Sequence, residues 1–173
     1  MIIWTTTPWT LPANEAVAVN PLASYSVVEV KGNHFLVATD RVTEMVKDVW
    51  KSNANVLTTV SGEQLMGSQC RHPLNDRIVP ILPGDHVTTL SGTGFVHTAP
   101  GHGHDDFKLC KAHGIVDILS PIDDSGFFTC EAGKEFEGKF ILREGNEAVI
   151  EALRSRQSLL QVSDYRHLII TGQ

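Results

Sequence analysis

The sequence lacks the features that mark a membrane protein or a disulfide-rich secreted protein. None of its apolar runs approaches the ~20 residues needed to span a bilayer, and no signal-peptide pattern opens the chain. Cysteine is scarce, since only Cys70, Cys110 and Cys130 occur and their spacing suggests no pairing. This pattern favours a reducing compartment, the cytoplasm or the mitochondrial matrix, with the cysteines as small, half-buried hydrophobic residues.

Positive charge is scarce as well. The 173 residues include 14 Lys and Arg against 20 Asp and Glu, which gives a net charge of −6 and a pI near 5.7. Phosphate binding needs basic residues in excess, so the composition argues against a domain that binds nucleic acid tightly by itself. If the chain acts on RNA, another part of the assembly must hold most of that RNA. The chain also lacks a P-loop and a dinucleotide-binding glycine pattern.

What is present is typical of one globular domain. The residues are 42% hydrophobic and 20% charged, and the length can enclose a core without disulfide or metal staples. No repeat, low-complexity tract or interdomain linker interrupts the chain. We therefore expect a single domain over residues 1–173.

Short apolar runs separated by turn residues predict many strands and about three helices, which indicates a mixed α/β fold. The predicted strands are Met1–Trp4, Ala16–Val19, Tyr25–Val30, His34–Ala38, Val56–Val60, Ile78–Leu82 (with Pro80 marking an edge or a bulge), His86–Leu90 and Phe95–Ala99. The predicted helices begin at an Asp40 N-cap, near His104–Asp106, and at an Asn146 cap.

Residues 5–14 form a segment rich in hydroxyl groups. Three consecutive threonines carry the first predicted strand to its end, where Pro8 interrupts the ladder and Pro12 repeats the interruption. Such a loop can bind a small polar group or position a water molecule. Threonine-rich strand ends with prolines also occur without any function, so the chemistry alone leaves both interpretations open.

A second informative stretch runs from Ser91 to Phe107. It predicts a strand that ends near His97, then a turn containing Gly101 and Gly103, then a helix with acidic residues in its first turn. His97 and Asp106 therefore lie on opposite sides of a glycine loop.

Both stretches resemble the editing (connective peptide) domain of isoleucyl-tRNA synthetases, a class I aminoacyl-tRNA synthetase family. Thr-Thr-Thr-Pro-Trp-Thr-Leu-Pro-Ala-Asn is similar to its threonine-rich motif, and Gly-Thr-Gly-Phe-Val-His, Ala-Pro and a later aspartate to its second motif. Valyl and leucyl relatives typically carry Arg at the position of Thr7 and generally another residue at that of His97. The resemblance implies a β-barrel-like core of mixed strands with peripheral helices. It ends near Leu160, and Tyr165–Ile170 departs from it, so the C-terminal boundary stays open.

The resemblance implies post-transfer editing, the hydrolysis of valine wrongly esterified to isoleucine tRNA. Asp106 would bind the substrate's α-ammonium, His97 would wall the side-chain pocket, and Asn14 would support the loop or contact the terminal adenosine. A ribose hydroxyl of the tRNA assists the attack in this family, so we expect no protein general base. The implied catalytic residues are Thr5, Thr6, Thr7 and Asp106, and the implied substrate-binding residues are Trp9, Thr10, Asn14 and His97.

The implied partners are the acceptor end of tRNA(Ile) carrying valine and the remainder of the synthetase, with no membrane, and we expect a monomer. The motifs His-Ile-Gly-His and Lys-Met-Ser-Lys-Ser are absent from the chain. ATP and magnesium would therefore belong to a separate synthetic domain, and we expect no cofactor in this one.

Three alternative functions compete with this interpretation. A non-catalytic tRNA-binding module conflicts with the acidic charge. A nucleophilic hydrolase is disfavoured because neither Ser91 nor the cysteines lie in an elbow motif. A metal-binding hydrolase is disfavoured because glycine loops preorganise ligands poorly, so we expect no metal and exposed positions for His102 and His104. Its ligands would come from His97, His102, His104, Asp105 and Asp106.

Overall fold

A computed structural model describes residues 1–163, and its mixture of strands and helices confirms the α/β class. The strands are β1 Ala16–Val19, β2 Ser24–Val30, β3 Asn33–Ala38, β4 Asn55–Ser61, β5 Gln69–Arg71, β6 Ile78–Pro83 and β7 Phe95–Thr98. The α-helices are α1 Val42–Glu44, α2 Gly62–Leu65, α3 His104–Ala112 and α4 Asn146–Ser155. Short 3₁₀ helices span Pro8–Ala13, Thr39–Arg41 and Cys130–Ala132, and π-helices span Met45–Trp50 and Ile141–Gly145.

The strands of residues 1–163 form two sheets. The larger has the order β5-β6-β1-β7, and the smaller has the order β3-β2-β4. In the larger sheet β1 runs parallel to β6 and antiparallel to β7. Both sheets are open in this part of the chain, so the barrel-like core expected from the resemblance is not a closed barrel here.

The pairing of β1 with β7 brings the two informative stretches together. β1 is apolar and buried along its whole length, as expected for a strand with neighbours on both sides. Ala16 pairs with Thr98 and Val17 with His97. Because the two strands are antiparallel, the residues just before β1 lie beside the end of β7. The fold therefore places the end of segment 5–14 next to His97.

A hydrophobic cluster fixes the first 3₁₀ helix against α4. The amphipathic helix α4 buries Val149, Ala152 and Leu153. Burial of each large side chain stabilises the fold by about 1.5–3 kcal/mol. The buried members of the cluster are Leu11, Leu74, Phe128, Ala132, Phe136, Val149, Ala152 and Leu153.

The hairpin β2–β3 confirms its prediction. Lys31 and Gly32 form the two-residue turn, with φ angles of 51° and 78°. Positive φ at both turn residues matches the right-handed twist of the paired strands. The predictions of β1, β4, β6, β7 and α3 are confirmed as well.

Two predicted strands are wrong. Met1–Trp4 forms no strand within residues 1–163, although the N–H of Ile2 donates to Leu36 O at 3.1 Å. His86–Leu90 is irregular because a turn intervenes, closed by the Val87 N–H donating to Gly84 O at 3.1 Å.

Two local details also differ from the prediction. Asp40 is not an N-cap, because the 3₁₀ helix Thr39–Arg41 precedes α1 and the Asp40 carboxylate accepts the Thr89 hydroxyl at 2.9 Å. Pro80 does not mark a sheet edge, since β6 has β5 on one side and β1 on the other.

The cysteines are free, but their environments differ. Cys110 is buried and Cys70 half-buried, whereas Cys130 is exposed, so the expected half-buried position is wrong for Cys130. None of the helices within residues 1–163 is long and apolar enough to cross a membrane. The departure predicted at 165–170 lies outside the described residues.

Candidate functional site

Segment 5–14, called the threonine loop below, is a tight turn followed by a 3₁₀ helix. Thr5 Oγ1 accepts the Thr7 N–H at 3.1 Å and closes the turn. Pro8 occupies the first position of the helix Pro8–Ala13, where its fixed φ suits a helix start and its missing N–H is not needed. The prolines predicted to interrupt a strand are therefore part of a short helix.

His97 joins the threonine loop to the end of β7. Its Nε2 lies 2.9 Å from Thr10 Oγ1, and its Nδ1 lies 2.7 Å from Asn14 Nδ2. Thr7 Oγ1 is 3.4 Å from Thr10 Oγ1. Two motifs separated by more than 80 positions thus meet in one hydrogen-bonded group of four side chains.

The hydrogen-bond partners of these side chains determine which nitrogen of His97 carries the hydrogen. Thr10 donates its hydroxyl hydrogen to Thr7 O at 2.9 Å, so His97 Nε2 must carry the hydrogen that it shares with Thr10. His97 Nδ1 is then the acceptor for one Asn14 N–H, while the other N–H donates to Ala16 O at 2.8 Å. Each donor finds an acceptor, and His97 is the neutral Nε2–H tautomer.

The electrostatics agree with a neutral His97. Burial, and to a smaller extent the neighbouring His72 and His102, lower the pKa of His97 to about 4. Both ring nitrogens are already hydrogen-bonded within the group. His97 therefore has neither the pKa nor a free nitrogen to act as a general base near pH 7.

A cleft of about 1550 Å³ opens beside the threonine loop. Thr6 and Thr7 are exposed, whereas Thr10 is 7% exposed. The exposed hydroxyls can therefore meet a ligand, while the Thr10 hydroxyl is turned inward to His97. The cleft lining includes Thr5, Thr6, Thr7, Asn14, His72 and Asn146.

Asp106 lies at the same end of β7 but outside the hydrogen-bonded group. It belongs to the first turn of α3, and its Oδ2 accepts the Ala99 N–H at 2.9 Å. Gly103 makes this close packing feasible, since a Cβ there would lie 3.1 Å from the Asp106 carboxylate carbon. Within residues 1–163 no hydrogen bond links Asp106 to the threonines, and the cleft lining does not include Asp106, His97, Thr10 or Trp9.

Trp9 packs against the glycine loop. Its ring centroid lies 5.2 Å from that of His102, with the planes at 73°. His102 is half-buried and burial lowers its pKa, so its predicted exposed position is wrong. His104 is exposed, as predicted. Within residues 1–163 no group of three or more His, Cys, Asp or Glu side chains is arranged to hold a metal ion.

Three residues that the sequence does not link to the threonine loop contact it from distant parts of the chain. They lie 61 to 137 positions from their partners, so no local pattern links them to the loop. The contacts are His72 Nε2 to Leu11 O at 2.9 Å, Arg77 Nη2 to Pro12 O at 2.6 Å, and Trp9 N–H to Asn146 Oδ1 at 3.0 Å.

Curated proteins similar to this chain include isoleucine–tRNA ligases. That of Microcystis aeruginosa is 51% identical over 167 residues, which is 95% of this chain and 17% of the relative. The probable mitochondrial isoleucine–tRNA ligase of Dictyostelium discoideum is 44% identical over 173 residues, 96% of this chain and 17% of the relative. The chain thus spans 17% of the length of these relatives. No family model matches the chain.

Solved structures with a similar fold come from leucyl-tRNA synthetases. The CP1 domain named GlLeuRS-CP1 has a TM-score of 0.74 at 15% identity, covering 93% of this chain and 82% of its own. The editing domain of the P. falciparum cytosolic leucyl-tRNA synthetase has a TM-score of 0.65 at 11% identity, covering 88% and 76%. At these identities the likeness shows the fold, and it confirms the expected editing-domain fold.

Proposed function

Because the chain belongs to the isoleucine–tRNA ligase family, as a segment with the fold of an editing domain, we propose that it hydrolyses the ester of valine wrongly attached to isoleucine tRNA. Water attacks the ester carbonyl carbon, the bond to the ribose oxygen breaks, and valine and free tRNA leave. This synthetase family is the standard example of weak valine–isoleucine discrimination corrected by a second site.

The observation that carries the proposal is the contact between the two motifs. Thr10 and Asn14 hold His97 at 2.9 and 2.7 Å, and the exposed hydroxyls of Thr6 and Thr7 lie on the cleft beside them. An aminoacyl ester is already activated, so a positioned water and donors near the developing oxyanion are sufficient chemistry. A cleft lined by threonine hydroxyls, with the neutral His97 packed behind them through Thr10, supports that reaction.

The residues take distinct roles in this proposal. Thr6 and Thr7 contribute their hydroxyls around the carbonyl and the water, and Thr5 shapes their turn by accepting the Thr7 N–H. Thr10 acts through His97, which walls the side-chain pocket, and Trp9 borders the site against His102. Of the two roles implied for Asn14, loop support is favoured, because its amide is bonded to Ala16 O and His97 and the residue is 5% exposed.

Asp106 binds the α-ammonium of valine in the same proposal. Its Oδ2 is used by the Ala99 N–H, which leaves Oδ1 without a hydrogen-bond partner among residues 1–163. A charge-assisted contact from an ammonium to that oxygen would fix the orientation of the ester. Because Asp106 does not line the cleft, the substrate must reach from the threonine side across His97 to the start of α3.

The partners in the proposal are the acceptor end of tRNA(Ile) and the rest of the synthetase, with ATP and magnesium used there and no cofactor in this domain. A net charge of −6 gives the domain little attraction for phosphate, so the remainder of the enzyme would hold the tRNA body. We also propose a monomeric state and a cytoplasmic or mitochondrial location.

The test compares two substrates. The domain is incubated with valyl-tRNA(Ile) and isoleucyl-tRNA(Ile), and ester hydrolysis is followed over time. Faster release of valine than of isoleucine, beyond the spontaneous rate, is the expected result. Binding of both tRNAs with no acceleration would indicate a non-catalytic acceptor-end module instead.

A further inference from the structure

The 3₁₀ helix of the threonine loop, with six residues, is longer than most helices of its type. Helices of this type have poor hydrogen-bond geometry, and runs longer than three or four residues are uncommon. The helix Pro8–Ala13 has few backbone hydrogen bonds of its own at its ends, where Leu11 O accepts the Asn14 N–H at 3.0 Å. Three side chains from remote segments also bond to backbone groups at its two ends, and we call them the loop clamp: His72, Arg77 and Asn146.

Asn146 closes the N-terminal end. Pro8 has no N–H, so the first donor of the helix is the Trp9 N–H, and it donates to Asn146 Oδ1 at 3.0 Å. The sequence predicts Asn146 as the cap of its own helix, α4. That prediction is wrong, because the π-helix Ile141–Gly145 runs directly into α4 and the Asn146 side chain caps the threonine loop instead.

His72 and Arg77 close the C-terminal end. Arg77 Nη2 donates to Pro12 O at 2.6 Å. His72 Nδ1 accepts the Leu74 N–H at 3.1 Å, which leaves Nε2 to carry the hydrogen that it donates to Leu11 O at 2.9 Å. His72 is 2% exposed, and burial lowers its pKa to about 4, so the ring stays neutral and in this tautomer near pH 7.

We propose that His72, Arg77 and Asn146 are positioning residues, which hold the 3₁₀ helix so that Thr10 meets His97 and the Thr6 and Thr7 hydroxyls face the cleft. The inference rests on the proposed deacylase function for its effect on rate. Its effect on the conformation of the loop is independent of that function. The clamp acts through the helix, since each of its contacts ends on a backbone group of Trp9, Leu11 or Pro12.

The test compares substitutions that remove the hydrogen bond with substitutions that keep it. Asn146→Leu is close in size but has no acceptor, whereas Asn146→Asp keeps an oxygen in place. His72→Leu and His72→Gln form a second pair, since the glutamine amide can still donate. Asn20→Leu is the matched control, because Asn20 donates to a remote carbonyl, Val87 O at 3.0 Å, away from the threonine loop.

Two measurements are made on each variant. The first is steady-state hydrolysis of valyl-tRNA(Ile), for which Asn146→Leu is expected to lower kcat by roughly 10- to 100-fold with little change in KM, because a small misplacement of reacting groups is enough for such a loss. The second is amide hydrogen exchange, expected to speed up about tenfold at Trp9 and Thr10 but not at Val27 and Val37 of the β2–β3 hairpin. Asn20→Leu should stay near wild type in both, and Asn146→Asp and His72→Gln should recover most of the rate and of the protection that the matching leucine variants lose.

Three results would overturn the proposal. The first is that amide exchange at Trp9 and Thr10 is unchanged in both leucine variants. The second is that exchange speeds up equally throughout the β2–β3 hairpin. The third is that Asn146→Asp is as impaired as Asn146→Leu. A wild-type domain that hydrolyses neither tRNA would refute the proposed function only. In that case the exchange results alone decide whether the clamp sets the loop conformation.

Discussion

The threonine loop and the segment from β7 to α3 reach the same site in opposite ways. The β7–α3 segment is specified locally: a strand, a glycine turn, and a helix whose first turn carries Asp105 and Asp106. The conformation of the threonine loop depends on side chains 61 to 137 positions away. Changes in the β7–α3 segment should therefore affect groups that bind the substrate directly. Changes in the residues that hold the threonine loop should instead act through the position of the loop and its stability.

Acid should weaken the threonine loop through His72. The unfolded histidine has a pKa near 6.5 and the folded one a pKa of about 4, so between these values the unfolded state binds more protons. The stability that depends on a neutral His72 is fully present above pH 6.5 and is lost as the pH falls toward 4. A difference of about 2.5 pKa units corresponds to about 3 kcal/mol in the free energy of unfolding.

Urea denaturation at pH 7, 5.5 and 4 measures this loss. His97, whose pKa is also about 4, should add to the slope, so His72→Gln should reduce the acid sensitivity without abolishing it. Asn20→Leu is the control, because it removes no titratable group, and it should leave the slope unchanged. If His72→Gln keeps the full acid slope, the buried neutral ring is not what makes the domain acid-sensitive.

Asp106→Asn tests the locally specified region. The amide keeps an oxygen for the Ala99 N–H, so stability should change little, but the anionic partner of the substrate's ammonium is lost. A hydrogen bond to a charged group is worth about 1.5–3 kcal/mol, so hydrolysis of valyl-tRNA(Ile) should fall about 10- to 150-fold. Asp105→Asn, in the same helix turn, is the control. Equal losses in both variants would mean that Asp106 is not the anchor.

The difference between the regions explains what could be predicted from the sequence. The β7–α3 segment was predicted nearly to the residue, because alternation, glycines and acidic helix starts are local signals. The threonine motif was recognised, but its shape was not. Pro8 fits a strand end and a helix start equally well, and contacts from distant segments, including those of His72, Arg77 and Asn146, favour the helix.

Thr10→Val tests the link between the two regions. Valine has the shape of threonine but leaves the His97 Nε2–H without an acceptor, which should destabilise the fold by about 1–3 kcal/mol. Thr10→Ser should restore most of that stability, because it keeps the hydroxyl. Thr6→Val, at an exposed position of the same loop, should change stability by less than about 0.5 kcal/mol. Equal stability of the two valine variants would show that the His97 contact contributes little.

Chelation should have the smallest effect. Within residues 1–163 no three potential metal ligands lie close together. The ring of His102 instead packs against Trp9. His102→Ala should therefore lower stability by about 0.5–1.5 kcal/mol through the lost ring contact, and His104→Ala should be nearly silent. Exhaustive chelation should leave deacylation and the thermal midpoint of the wild type unchanged. If chelator abolished activity and zinc restored it in the wild type but not in these variants, the glycine loop would be a metal site after all. The contact with Trp9 would then orient a ligand, and the loop between His97 and Asp106 would carry the chemistry that is here assigned to the threonines.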